Sequence, residues 1–477
     1  LASQSRENGD ISKNILEDAK PNPLPLFYRA YKIRSNPLIK LFRGLIIGLS
    51  MVMGKSLQLH EEALKYLPSG VTYGNRYSDP FPVYIERADG QYVWDVDGNR
   101  FVDLWMGHGA LIMGHSYRPV IEAAMDQLRY GSHFGYSHEW EVKWAKQVCS
   151  MVPSAKMVRP TNSGTEANMY AVRLARAYTR RNMIGKFEGG WHGGYDGLQI
   201  GVTYPIDRPS TLGLSENTAK DTLLLAYNNL EETERRIRGK ELACIVIEPV
   251  LGAGGFIPAE REFLKGVREI CDREDIVLIF DEVITGFRLS PGGAQTLYGV
   301  IPDITVLGKA VGGGPFPAGA FCGREDIMEL IDLRKHPSPY ERVFHGGTYS
   351  GNPLTMRAGY TLMKELEKGE VYHHINSLGE YVRRRLEEIT SGVDIHITGI
   401  GSLVCLHFTK EKPYDIHTAN RTKNVETARQ YFRHLLGRGL IYVPPAVPHL
   451  FISAAHTRES ADQLITATEE FIRATLL

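Results

Sequence analysis

"IVLIFDEV", residues 276–283, is an apolar run that ends in two acids. It lacks the polar alternation of a half-exposed strand, so it describes a strand buried on both faces, as in a parallel sheet covered by helices. Two runs of the same kind flank it, "ACIVIEPV" (243–250) and "DITVLGKA" (303–310). Between the first pair, "REFLKGVREICDRE" carries apolar residues at helical spacing. Strands alternating with helices predict an α/β fold with a mainly parallel sheet. Ligands in such sheets bind at the carboxyl ends of the strands, which is where Asp281 and Lys309 fall.

The rest of the chain sets the frame. It has 477 residues, 43% hydrophobic and 23% charged, an ordinary globular composition long enough for more than one lobe. Its 55 basic and 55 acidic residues cancel, which argues against bulk attraction to nucleic acid or acidic membrane. Five scattered cysteines without a CxxC pair fit a reduced, cytoplasmic setting and give no metal-ligand spacing. The first residue is Leu1, so a processed chain or a piece of a larger polypeptide is expected. "LIIGLSMVMG" (45–54) is too short to span a bilayer. It reads as an arm packing on its own body or on a partner subunit, with membrane contact not expected.

Residues 1–54 read as an N-terminal extension. From 83 to 105, "VYIERADGQYVWDVDGNRFVDLW" predicts a β-meander turning at Asp89-Gly90 and Asp97-Gly98. Its acids do not make a calcium loop, because the glycine needed at the sixth position from Asp95 is Arg100. The segment after 366 changes character: helices over 371–390, 425–437 and 458–475, with strands near "DIHITGIGSLVCLHF". We divide the chain into 55–120 (N-terminal part of a small domain), 121–365 (large domain) and 366–477 (C-terminal small domain).

Four features carry chemistry. "NSGTEA" (162–167) opens a helix whose apolar stripe runs Ala167, Tyr170, Ala171, Leu174, Ala175 and Tyr178. Ser163, Gly164 and Thr165 then lie at a helix N-terminus, an anion site or a plain cap. Asp281 resembles the magnesium acid of a P-loop ATPase, but the chain has no GxxxxGK[ST]. It can hold a proton on a heteroaromatic nitrogen or merely close a turn. Lys309, followed by Gly312, Gly313 and Gly314, can grip a phosphate, attack a carbonyl, or sit in a loop. "EGGWHGGYD" (188–196) sets Trp191 and His192 between glycine pairs, either to cover a flat ring or as core. Taken together, an anion cup, an acid for a ring nitrogen, an amine for a carbonyl and an aromatic lid answer the needs of pyridoxal 5'-phosphate.

With these residues in order, the chain from about residue 60 onward resembles the class III, fold-type I aminotransferases. It is most similar to the branch that holds glutamate-1-semialdehyde aminomutase and the β-amino-acid aminotransferases. The matching stretches are "TNSGTEA", "KFEGGWHGGYD", "IEPVLGAGGFIP", "FDEVITGFR", "DITVLGKAVGGG", "HGGTYSGNP" and "GIGSL". The resemblance implies a large domain with a seven-stranded type of sheet and a smaller α+β domain built from N- and C-terminal segments. It also implies that Lys309 holds the cofactor covalently and that Asp281 partners the pyridine nitrogen. By the same resemblance Val283 lies under the ring, Trp191 stacks on it, His192 is among the cofactor-binding residues, and Ser163, Gly164 and Thr165 bind the phosphate. Glu248 falls near the cofactor. Thr348 matches a threonine reaching the phosphate from the neighbouring subunit of a homodimer. Arg76 matches an arginine that grips a substrate carboxylate.

Three departures bear on the reaction. Pro448 falls where the aminomutase has a glutamate near the substrate amine, Ala253 where it has an asparagine on the ring oxygen, and Tyr73 where it has a serine. We therefore expect a two-substrate aminotransferase acting on an amino-acid donor and a carbonyl acceptor. The alternative is the aminomutase. Tyr73, Trp105, Met106, His108, Leu111 and Tyr136 form the expected substrate surroundings. They suit a hydrophobic aldehyde, ketone or β-keto acid of a biosynthetic pathway.

Overall fold

The run that ends in Asp281 lies at the centre of a seven-stranded sheet. A computed structural model of the chain describes residues 54–206, 208–443 and 448–476. The expected N-terminal extension and apolar arm therefore lie outside the described residues, apart from Gly54. Among the described residues no helix is long and apolar enough to cross a membrane.

The expected meander forms β1 (Ile85–Asp89), β2 (Tyr92–Asp95) and β3 (Arg100–Asp103), paired antiparallel in sequence. Asp95 closes its second turn by accepting from the backbone N–H groups of Asp97 (3.0 Å) and Asn99 (2.7 Å). The large sheet uses β4 (Met157–Thr161), β5 (Met183–Phe187), β6 (Thr222–Leu225), β7 (Leu242–Ile247), β10 (Val277–Asp281), β11 (Ile304–Gly308) and β12 (Gly319–Gly323). Two short strands, β8 (Val250–Leu251) and β9 (Ile257–Pro258), form a ribbon between β7 and β10.

The order across the sheet is β4-β12-β11-β10-β7-β5-β6. Only β12 runs against its neighbours, and the other pairs are parallel. Every residue of β7, β10, β11 and β12 is buried, which explains their unbroken apolar reading. Each such Val, Leu or Ile side chain contributes about 1.5–3 kcal/mol on burial. The helices Gly164–Thr179 and Arg261–Arg273 cover the sheet with Ala167, Tyr170, Leu174 and with Phe263, Leu264, Val267, Ile270. Tyr178 departs from the expected stripe: it is 39% exposed, and its hydroxyl donates to Asp326.

The smaller lobe draws on both ends of the chain. A sheet of β13 (Ile395–Thr398), β14 (Leu403–Phe408) and β16 (His449–Phe451) lies beneath the helices Glu370–Ile389 and Arg458–Thr475. The two-residue strand β15 (Leu440–Ile441) pairs parallel with β3, matching Leu440 to Val102. A C-terminal segment thus completes an N-terminal sheet.

Candidate active site

Four loops leave the carboxyl ends of the parallel strands together. β4 leads to Ser163, β5 to Trp191, β10 to Asp281 and β11 to Lys309. The glycine-rich stretch around Trp191 therefore also follows a parallel strand. β10 and β11 are neighbours, with Asp281 opposite Val306, so the acid and the lysine leave adjacent strands.

Ser163 caps the helix Gly164–Thr179, its Oγ accepting from the Glu166 N–H at 3.2 Å. The N–H groups of Gly164 and Thr165 are first-turn donors, which a helix cannot satisfy internally. Thr165 Oγ1 accepts from the Gly194 N–H at 3.2 Å, tying the cup to the loop that carries Trp191. A Cβ on Gly164 would lie 2.8 Å from a Val283 methyl, and one on Gly308 would lie 3.0 Å from the other. Glycine at both positions lets the Val283 isopropyl group sit flat between the cup and the lysine strand.

The Asp281 carboxylate is buried and held by three donors. Oδ2 accepts from Asn168 Nδ2 (2.8 Å) and His192 Nδ1 (2.8 Å), and Oδ1 from the Val283 N–H (3.0 Å). Burial lowers the pKa of His192, and the Asp281 contact only partly opposes this. A neutral His192 that donates from Nδ1 leaves its buried Nε2 as a bare acceptor. Neither that atom nor Asn168 Oδ1 has a partner among the described residues.

Glu248 follows β7 and accepts from the N–H groups of Trp191 (2.8 Å) and Gly252 (3.0 Å). Burial, with the charge of Asp281 next, raises the pKa of its carboxyl well above the usual range. Trp191 itself remains 41% exposed, its ring free to meet a ligand. Lys309 is half-buried and has a positive φ of 50°. Burial pushes its amine down to about 8, with Asp281 and Glu248 opposing and Arg288 adding to the fall. Lys309 thus approaches the neutral form that a nucleophilic lysine needs.

These residues fit pyridoxal 5'-phosphate. The cup has helix N–H donors suited to a phosphate, Val283 sets an apolar surface beside it, the Trp191 ring is exposed, and Asp281 is fixed by its neighbours in a way that suits a ring nitrogen. Two buried polar atoms beside it await a partner, and a pKa-depressed amine leaves the next strand.

The expected substrate residues divide into two groups. Tyr73 and Trp105 flank His108, with ring centres 5.5 and 4.6 Å from it. Burial and the charges of Lys309 and Arg76 lower the His108 imidazole to about 4. Arg76 is exposed, and its Nη1 donates to Thr72 Oγ1 at 2.6 Å. Tyr136, 86% exposed, instead lines a cavity of about 280 Å³ together with the exposed Thr348. Neither Lys309, Asp281 nor Ser163 lines that cavity. This departs from the expected pocket, because Tyr136 belongs to the 133–138 loop that packs beside Gly347–Pro353.

Sequence reasoning missed several supports. Asn168, four residues after Gly164, reaches Asp281 from the buried face of the helix, and only its polarity on that face signals it. Lys186 is fully buried and donates to the carbonyls of Gly190 (2.7 Å) and Ile200 (2.9 Å), closing the loop around Trp191. Among the described residues no group of three or more His, Cys, Asp or Glu side chains is placed to hold a metal ion.

Comparison with known proteins bears on this geometry. Residues 73–468 match the family described as Aminotransferase class-III. A glutamate-1-semialdehyde 2,1-aminomutase from Methanosphaera stadtmanae is 39% identical over 424 residues, covering 88% of this chain and 98% of that protein. An omega-transaminase structure from Sphaerobacter thermophilus superposes with a TM-score of 0.82 at 34% identity, covering 88% of this chain and 97% of that one. A beta-phenylalanine aminotransferase structure from Variovorax paradoxus gives the same TM-score of 0.82 at 31% identity, covering 92% and 97%. With that agreement across fold, strand-end loops and family match, the chain belongs to the class III aminotransferase family of pyridoxal-phosphate-dependent, fold-type I enzymes.

Proposed function

We propose that this enzyme transfers an amino group from an amino-acid donor to a separate carbonyl acceptor with a hydrophobic body. The observation that carries this reading is Pro448, a buried residue beside β16 at the position where the resemblance to the aminomutase places a glutamate. A proline there supplies no carboxylate to steer a substrate amine. Ala253 and Tyr73 depart from that resemblance in the same direction. The aromatic surroundings Tyr73, Trp105 and His108 favour an apolar substrate body.

When bound, pyridoxal phosphate supplies an electron sink for the substrate carbon that loses its proton. In this reading Lys309 would hold it covalently and, once its amine is free, would serve as the general base and acid that moves the substrate proton. Asp281 keeps the ring nitrogen protonated, and Asn168 and His192 keep Asp281 in place. Ser163, Gly164 and Thr165 hold the phosphate, Val283 supports the ring and Trp191 covers it, with Glu248 bracing the Trp191 peptide. Arg76 receives a substrate carboxylate. Thr348 and Tyr136, which line a cavity that Lys309 does not line, act in the site of a second copy, so the working form is a homodimer.

The second reading is glutamate-1-semialdehyde 2,1-aminomutase, and the curated relatives favour it, since they carry that name at 37–40% identity. One experiment separates the two. The holoenzyme is given glutamate-1-semialdehyde alone, and in parallel a panel of amino donors with medium-chain aldehydes, ketones and β-keto acids. Two-substrate turnover with a preference for the apolar acceptors supports the first reading. Efficient conversion of the semialdehyde with no added donor establishes the second and overturns the first.

A further inference from the structure

Arg288, in the segment after β10, is completely buried, and its partners are all neutral. Its Nη1 donates to Ser402 Oγ (3.2 Å) and to the Ile452 carbonyl (3.1 Å), and its Nη2 to the Gly109 carbonyl (2.5 Å). The guanidinium carbon lies 5.3 Å from the centre of the Phe451 ring. Nε has no partner among the described residues. A buried cation without a carboxylate is costly, and the cost persists where surrounding structure depends on the contact.

The contact that stands out is the one to Gly109. Met106, Gly107, His108 and Gly109 all have positive φ, at 48°, 58°, 59° and 75°. For Met106 and His108 this is the left-handed region that residues with a Cβ disfavour. A Cβ on Gly109 would overlap the Phe451 ring, so Arg288 and Phe451 grip the same peptide from the C-terminal side of the turn. Just beyond, Ala110 and Leu111 lie against Gly314, the last of the three glycines after Lys309: a Cβ there would lie 3.0 Å from the Ala110 carbonyl oxygen and 3.3 Å from a Leu111 methyl. The turn presents His108 between Trp105 and Tyr73, where the charges of Lys309, Arg76 and Asp103 act on its imidazole.

We propose that Arg288 is a positioning residue that holds the strained Met106–Gly109 turn and so sets His108 as a wall of the substrate pocket beside Lys309. The inference rests on the reading of His108 as a substrate-facing residue. The hydrogen bonds of Arg288 go to Ser402, Ile452 and Gly109, so its hold on His108 passes through the turn, while its charge also acts on Lys309.

A double-mutant cycle on the holoenzyme tests this, using Arg288→Met, His108→Ala and the pair. Two quantities are read. One is KM and kcat with 3-amino-3-phenylpropanoate or glutamate-1-semialdehyde, whichever the wild type converts. The other is the His108 imidazole pKa from NMR of histidine-labelled protein, with the resonance assigned by its loss in His108→Ala. Arg288→Met is expected to raise KM about tenfold or more with a much smaller change in kcat, and to move the imidazole back toward its ordinary value. In the His108→Ala background the same substitution should leave KM unchanged. Additive effects on KM, or an unmoved imidazole, overturn the proposal. If Arg288→Met does not fold, Arg288→Lys keeps the cation and loses the fork. It should shift both quantities in the same direction, and wild-type values in it overturn the proposal. A His108→Ala variant with unchanged KM defeats the reading of His108 itself, and the imidazole shift still reports separately whether Arg288 holds the turn.

Discussion

His192 Nδ1 and Asn168 Nδ2 both donate to Asp281 Oδ2, each at 2.8 Å, so one carboxylate oxygen is fixed by an imidazole from a loop and an amide from a helix. The acid at the end of β10 is thereby oriented before any ligand arrives. Its position is set by β10, and its direction by residues that follow β4 and β5.

Asp281→Asn tests that orientation. The amide cannot accept from both neighbours at one atom while also serving a protonated ring nitrogen. Turnover should fall by about 10²–10⁴-fold while the cofactor still binds, as read from steady-state rates and cofactor stoichiometry. Near wild-type rates would remove Asp281 from its proposed role.

Lys309→Ala should abolish turnover together with the absorbance of the covalently held cofactor. Spectra of the reconstituted variant check this directly. Turnover with that absorbance intact would refute the assignment of Lys309.

Gly164→Ala sets local propensity against packing. Alanine is the better helix former by about 1 kcal/mol. Its Cβ would lie 2.8 Å from a Val283 methyl, inside normal contact. We expect packing to win, with cofactor affinity reduced about tenfold through a shifted cup, equivalent to about 1.4 kcal/mol. Equilibrium binding of pyridoxal phosphate to the apoenzyme gives the value, and unchanged affinity would show that Val283 yields freely.

Lys186→Met has a pH signature. Burial pushes the Lys186 amine down to about 7, with Glu248 opposing, against 10.5 for an unburied lysine. Between these values the unfolded chain binds a proton that the folded chain does not, so this group's contribution to stability rises with pH across that window. Below about 7 the folded state bears the full cost of burying the charge. The variant lacks this rise, and it leaves the Gly190 and Ile200 carbonyls without their donor, at about 1–3 kcal/mol each. The wild-type advantage in Tm should therefore widen as the pH is raised from 7 toward 10. A constant difference would mean that Lys186 does not titrate there.

Much of this architecture is legible in local sequence because local forces decide it. Short unbroken apolar runs set between helical patterns read as strands covered on both faces, and β7, β10 and β11 are that. Ser163 reads as a helix cap because its hydroxyl serves a donor three residues away. Asp281 and Lys309 end such runs, so their placement at the carboxyl ends of neighbouring strands follows from parallel pairing.

Other features depend on contacts between distant segments, which no local pattern encodes. β12 is inserted antiparallel between β11 and β4, an outcome of loop geometry and pairing across more than a hundred residues. The separation of Tyr136 from Tyr73 and His108 depends on where the 133–138 loop packs, and exposed aromatic letters read alike in either place. The grip of Arg288 on Gly109 joins residues 179 apart in the chain. The sequence by itself determined the strands, the cap and the placing of Asp281 and Lys309 at strand ends, because each rests on burial or hydrogen bonding within one segment. The tertiary structure alone decided how Asp281 is aimed, how the Trp191 loop is closed and which aromatics share a pocket, because those depend on atoms that only folding brings together.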